Sequence, residues 1–155
     1  ASPWGTEEGF LRSLPVVGQA WSWHDMTQDG KVATWGSYCP GVVGMARDDN
    51  PDSANSQFFL MRQPYLSLDK RYTAFGRVIS GLDVIRAIKT GEPVPAPQDR
   101  MDRVRVLADI PAAERPTVRV IDPAGAWFKA EIKRVRKLKG ADFSLCDVTI
   151  PAEVN

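Results

Sequence analysis

The run Gly41-Val-Val-Gly-Met-Ala46 places the strongest constraint on the fold, because small and apolar residues in succession suit a buried strand that other backbone can approach closely. It stops at Arg47-Asp48-Asp49-Asn50-Pro51-Asp52-Ser53-Ala54-Asn55, a turn built almost wholly of residues that hydrogen-bond their own backbone or fix φ. Ser56 to Arg62 then alternates, with Gln57, Phe59 and Met61 on one face and Phe58, Leu60 and Arg62 on the other. A glutamine thus shares a strand face with a phenylalanine. Tyr72 to Val78 reads as a further strand, so this part of the chain is mainly β.

Helices flank these strands. Ser80-Gly-Leu-Asp83 opens one, with Ser80 placed to cap the free N–H groups and Asp83 in the first turn. Leu82, Ile85 and Ile88 mark its apolar face, Gly91 and Pro93 end it, and Pro93 to Pro97 is an extended connector. Arg103 to Asp109 alternates Val104, Val106 and Ala108 against Arg105 and Leu107, as a half-buried strand would. Upstream, the first 40 residues hold four of the five tryptophans (Trp4, Trp21, Trp23, Trp35) and read mostly as loop, with candidate strands at Gln19 to His24 and Lys31 to Trp35.

After Pro111 the character changes. Ala112 to Pro116 is a polar linker, Thr117 to Ile121 a short strand, and Asp122-Pro123 suits a helix start. Phe128, Ile132, Val135 and Leu138 follow helical spacing opposite Lys129, Lys133, Arg136, Lys137 and Lys139, and Asp142 to Pro151 reads as one more strand. The expected organisation is one domain over 1–111 and a short α+β extension over 112–155.

Composition removes several classes of function. Twenty Lys+Arg against 19 Asp+Glu give a formal net charge of +1, which leaves no broad electrostatic case for a nucleic-acid or polyanion binder. The six basic residues of the later helix, set against Glu131, form either a solvated face or a local contact for an anionic surface or nucleic acid. No stretch approaches the roughly 20 apolar residues of a membrane span, and Ala1-Ser2-Pro3-Trp4 lacks the basic-then-apolar pattern of a leader, so a soluble or already processed chain is expected. With His24 the single histidine, and Cys39 and Cys146 far apart, a zinc site has too few soft ligands. The cysteines either pair or are small buried hydrophobes.

Taken in order, Gly41-Val-Val-Gly-Met-Ala46, Asn55-Ser-Gln-Phe-Phe59, Leu68-Asp69, Phe75-Gly-Arg-Val78 and Gly81-Leu-Asp-Val-Ile85 resemble the second half of a cyclophilin, a peptidyl-prolyl cis-trans isomerase. The form Asp69-Lys-Arg-Tyr-Thr-Ala-Phe-Gly-Arg-Val78 resembles bacterial rather than eukaryotic members. The resemblance spans about Gly41 to Pro111 and leaves the family's first strands, first helix and Phe-x-Arg segment without a clear counterpart. It implies a mainly β fold with flanking helices, a cyclophilin-like barrel or only its C-terminal part, and isomerisation of X-Pro bonds in peptides and folding proteins with neither metal nor cofactor. Because related bacterial chains are often exported, a periplasmic location is expected, with the cytoplasm as the alternative.

The resemblance also assigns roles. Gln57 would hydrogen-bond the substrate, Phe59 would floor an apolar proline pocket walled by Leu68 and Tyr72, and the backbone of Ala46, Arg47 and Asp48 would hold the substrate extended. Tyr72 stands where many relatives carry histidine, Arg47 replaces a common asparagine, and Ser67 replaces a larger rim residue, which implies weak cyclosporin binding. Phe10-Leu11-Arg12 resembles the segment that carries the catalytic arginine, making Arg12 a candidate, although its distance from Gly41 is short and Ser13 replaces a branched apolar residue. A plain loop arginine is the competing reading. If the upstream part of a barrel is lacking, strand edges and core need cover, so a non-catalytic binding or structural subunit with a partner over the barrel edge or the C-terminal helix is the alternative function.

Overall fold

The computed structural model describes residues 5–155, so Ala1 to Trp4 and the leader expectation placed on them lie outside the described residues. No helix among the described residues is long and apolar enough to cross a membrane. Among the described residues eight strands form three antiparallel sheets. The first has the order β1 (Glu7–Leu11), β2 (Leu14–Gly18), β3 (Thr34–Gly36), the second has β4 (Val42–Met45) between β5 (Phe58–Leu60) and β6 (Ala74–Arg77), and the third pairs β7 (Val118–Val120) with β8 (Ala152–Val154). Two α-helices, α1 (Leu82–Ala87) and α2 (Ala126–Lys139), accompany them. Among the described residues the strands pair as these three sheets.

The first forty residues are more ordered than their composition implies. Strands β1 and β2 form a hairpin whose two-residue turn puts Arg12 at φ 53°, a left-handed conformation that tight antiparallel connections require and that glycine or asparagine usually supplies. The candidate strand at Gln19 to His24 is instead a 3-10 turn over Trp21–Met26, in which His24 stacks on Trp21 and pairs with Asp25. The two larger sheets meet where Gly36 faces Ala74. A Cβ on Gly36 would lie 2.4 Å from the Ala74 Cβ, so a side chain there would force the sheets apart.

Two apolar cores result. Tyr38, Cys39, Val42 and Met61 form the first, with Leu14, Phe59, Leu68, Tyr72 and Ala74 packed against it; Phe128, Val135, Val148 and Ile150 form the second, with Phe10, Ile121, Ile132 and Phe143. Full burial of Phe128 alone contributes about 2 to 3 kcal/mol. The C-terminal segment is fastened to the rest by a Cys39–Cys146 disulfide, by an edge-to-face contact of Phe10 with Phe128 at 5.1 Å, and by an Arg136–Glu8 ion pair at 3.8 Å. Of the two readings open for the cysteines, the structure takes the pair.

Several expected elements are corrected. Gly81 at φ 79°, not Ser80, caps α1, because the chain must turn sharply through a left-handed residue to enter it. That helix ends at Ala87, ahead of Gly91 and Pro93. Residues 103–106 find no strand partner, leaving Val104 and Val106 72% and 64% exposed, and Leu107 enters a 3-10 turn. Helix α2 starts at Ala126 because Asp122 first closes a turn, accepting from the Ala124 N–H, and Leu138 lies outside the apolar stripe. Ser144 and Asp147 form a capping box that bends Leu145–Asp147 into a 3-10 turn, so Asp142 to Pro151 is not a strand; pairing begins at Ala152.

Candidate active site

Strand β4 sets the geometry. Its Gly44 lies opposite Phe59 of β5 on one side and Ala74 of β6 on the other. A Cβ at Gly44 would stand 2.4 Å from Cζ of Phe59 and 2.8 Å from the Tyr38 ring, so the missing side chain is the space these rings occupy. Gly44→Ala is therefore expected to cost about 1 to 3 kcal/mol by overpacking and to displace Phe59. Chemical denaturation and the near-ultraviolet circular dichroism of the aromatic cluster measure this; an unchanged spectrum would contradict it.

Around Phe59 the aromatic rings interlock. Tyr38 stacks on it at 5.6 Å, and Tyr72 meets it edge-on at 5.8 Å and 89°. Leu68 packs against the same cluster from the turn Leu66–Leu68. The Arg47 guanidinium lies 5.0 Å from the Tyr72 ring centre and is held there by bonds donated from Nη2 to the Arg71 carbonyl (2.6 Å) and from Nη1 to the Asp48 carbonyl (2.7 Å). Such a cation over an aromatic face contributes about 0.5 to 1 kcal/mol at a partly exposed site. The structure thus brings four expected residues together: Arg47, Phe59, Leu68 and Tyr72.

Beneath them lies a polar anchor that sequence reasoning did not assign. Asp69 is fully buried and accepts from the Tyr38 N–H at 2.8 Å and the Ser37 hydroxyl at 3.2 Å. It fixes the peptide that carries Tyr38, and hence the ring on which Phe59 rests. The Tyr38 hydroxyl is buried and has no hydrogen-bond partner among the described residues. Burial pushes its pKa upward, with the Asp69 charge and then Tyr72 adding to the effect, so the phenol stays neutral. The only sequence signal for this anchor was the aspartate of Leu68-Asp69.

Gln57 stands exposed at the start of β5, and its side chain makes no hydrogen bond among the described residues. Its carbonyl accepts from the Ala46 N–H at 3.0 Å, closing the intervening loop. Within that loop the Asp48 N–H donates to Ser53 Oγ at 3.0 Å and the Asp48 carboxylate accepts from the Asn50 N–H. Hydrogen bonding to Ser53 and then to the Asn50 backbone, with Arg47 adjacent, holds the Asp48 carboxyl below its usual range. Ala46 and Asp48 therefore spend their N–H groups internally, while the backbone N–H and C=O of Arg47 make no such bond among the described residues.

A broad groove lies not beside Tyr72 but across β5 from it. This groove of about 1010 Å³ is lined chiefly by Phe58, Leu60, Val84, Ile85, Ile88 and Met101, with Gln57 and Ala46 at its border. Strand alternation explains the division: Phe59 and Met61 enter the aromatic core, whereas Phe58, Leu60 and Arg62 face the groove. Arg12 is not drawn into the site. It is exposed in the β1–β2 turn, and its guanidinium makes no hydrogen bond or ion pair among the described residues. No group of three or more His, Cys, Asp or Glu side chains that could hold a metal occurs among the described residues.

Comparison with known proteins agrees with this geometry. The family model for cyclophilin type peptidyl-prolyl cis-trans isomerase/CLD matches residues 21–109, more than half of the chain. A probable peptidyl-prolyl cis-trans isomerase of Brucella abortus is 53% identical over 51 residues, covering 33% of this chain and 26% of that protein. Peptidyl-prolyl cis-trans isomerase 10 of Caenorhabditis elegans is 37% identical over 78 residues, 48% of each chain. The crystal structure of cyclophilin AquaCyp293 from Hirschia baltica superposes with a TM-score of 0.84 at 31% identity, covering 95% of this chain and 54% of that one. The chain spans about half or less of the length of these relatives. The matched segment, which contains the Phe59 cluster, and the superposed fold agree in placing the chain in the cyclophilin-type peptidyl-prolyl cis-trans isomerase family.

Proposed function

We propose that the protein isomerises X-Pro bonds in peptides and folding proteins, with Phe59, Leu68 and Tyr72 as the proline seat. The observation that carries this reading is the Phe59–Tyr72–Leu68 cluster with the Arg47 guanidinium over Tyr72, while the Arg47 peptide group and the exposed Gln57 side chain make no hydrogen bond among the described residues. Rotation about X-Pro has a barrier near 20 kcal/mol from amide resonance, and no covalent bond need form or break. A catalyst has only to bind the twisted amide more tightly than either planar form. The proline ring would be held on Phe59, the preceding extended chain would bond the Arg47 peptide, and Gln57 would engage the substrate backbone. The enzyme would need no cofactor.

Exchange NMR of an Ala-Pro peptide tests this. The intact chain is expected to accelerate exchange, Gln57→Ala to reduce kcat/KM at least tenfold, about 1.4 kcal/mol in the transition state, and Arg12→Ala to change it less than twofold. Loss of activity in Arg12→Ala would instead make Arg12 the catalytic arginine. Arg47, the arginine over Tyr72, donates to the Asp48 and Arg71 carbonyls.

A second reading rests on a different observation, the exposed apolar groove beside β5. In it the chain is a cyclophilin-like binding or structural subunit, and a partner subunit or further chain covers Phe58, Leu60, Val84 and Ile88. Well-folded protein that binds proline peptides without accelerating exchange would favour it. An extracytoplasmic, periplasmic location in a bacterium is supported by the Cys39–Cys146 disulfide, since reducing compartments rarely keep such bonds. Thiol labelling of the protein in its native cells, finding both cysteines reduced, would point to the cytoplasm.

A further inference from the structure

Helix α2 carries a charge pattern that its packing does not use. Its inner face buries Phe128 and Val135, and three of its six cations are matched by carboxylates: Arg134 with Glu131 at 2.7 Å, Arg136 with Glu8 at 3.8 Å, and Lys139 with Asp147 at 3.4 Å. The other three, Lys129, Lys133 and Lys137, have no carboxylate partner among the described residues. They recur every fourth residue, so they form one row along the helix with a step of about 6 Å. All three are exposed.

About a third of a turn round the helix from this row runs an apolar line. Trp127 and Leu138 are eleven residues apart, which brings them within about 20° of each other on the helix, and they are 55% and 73% exposed. Exposed Ala130 and Arg134 lie between the two lines, so the outward surface carries the lysine row at one edge and the tryptophan and leucine at the other. Neither large side chain is needed to close the core beneath, which Phe128, Val135 and Ile132 already fill.

We propose that this face of α2 docks on an anionic phospholipid surface, the lysines meeting headgroup phosphates and Trp127 and Leu138 entering the interfacial layer. Charge complementarity selects the partner, because a row of lysines without carboxylate partners among the described residues, on the same outward surface as an exposed tryptophan, matches the chemistry of a headgroup layer. A nucleic-acid phosphate row would use the lysines but leave Leu138 idle, and the near-neutral chain offers no wider basic surface for it. The helix lies outside the family-matched residues 21–109, and its inner face packs in a core separate from the aromatic cluster.

The test is flotation of the intact chain with vesicles of mixed phosphatidylglycerol and phosphatidylcholine, against pure phosphatidylcholine. Binding to the anionic vesicles is expected to be at least tenfold tighter and to collapse at high salt, where the Debye length falls to about 3 Å. The combined Lys129→Glu, Lys133→Glu, Lys137→Glu variant should lose this binding and the corresponding arginine triple should keep it, with both unfolding at the denaturant midpoint of the parent chain. Trp127→Ala should weaken binding severalfold at low salt. Equal binding to neutral vesicles, or full binding by the glutamate variant, would overturn the proposal. So would tighter binding to duplex DNA than to anionic vesicles at the same salt, which would make the lysine row a nucleic-acid contact.

Discussion

Replacing both Cys39 and Cys146 by serine is expected to lower the free energy of unfolding by about 4 to 5 kcal/mol. The two residues are 107 positions apart, and a cross-link closing a loop of that length removes a large share of the unfolded chain's conformational freedom. The folded state would lose little by comparison, since Cys39 remains buried among Tyr38, Val42 and Met61. Urea denaturation under oxidising and reducing conditions measures the effect as a fall in midpoint. A shift equivalent to less than about 1 kcal/mol would mean that contacts such as Phe10 with Phe128 hold the C-terminal segment without help.

Asp69→Ala should be nearly as damaging, at about 3 kcal/mol or more. The carboxylate is inaccessible to solvent and accepts from the Tyr38 N–H and the Ser37 hydroxyl, both on buried residues. Deleting it strands two donors where water does not reach, and the cost is that of leaving them unsatisfied rather than the net worth of two hydrogen bonds. Because Tyr38 supports Phe59, prolyl isomerisation is expected to fall along with stability. Asp69→Asn keeps the shape and one acceptor and should cost about half as much. Equal stability of the alanine variant and the parent in urea would show that the anchor is dispensable.

The matched part of the site was legible because its signals are local. Gly41 to Ala46 and Ser56 to Arg62 carry strand patterns in their own composition, and the structure forms β4 and β5 there, with Phe59 and Met61 on one face and Phe58 and Leu60 on the other. Arg47, Phe59, Leu68 and Tyr72 were expected at one place and meet there. The supporting layer was not legible. Tyr38 and Asp69 are 31 positions apart, and nothing in either segment announces that one must satisfy the other.

The misread elements share a physical cause as well. The β1–β2 hairpin has neither glycine nor asparagine in its turn, and its strands are held by pairing with each other and with Thr34–Gly36 rather than by alternation. Conversely, Val104 and Val106 alternate with polar residues yet form no strand, because a strand needs a neighbour and these residues have none among those described. Leu138 continued the spacing of Phe128 and Val135 but turned outward, since a helix of 3.6 residues per turn drifts off any stripe extended by regular steps.

By itself, then, the sequence determined what depends on neighbours along the chain: the small-residue strand β4, the Asx- and proline-rich turn after it, the alternation that divides β5, and the amphipathic start of α2. Only the tertiary structure decided which cysteines met, which buried donors Asp69 would satisfy, that Gly44 is the space filled by Phe59 and Tyr38, and which faces of β5 and α2 stay open. Those outcomes are set by packing and by the pairing of polar groups across long separations, and each depends on where the rest of the chain lies.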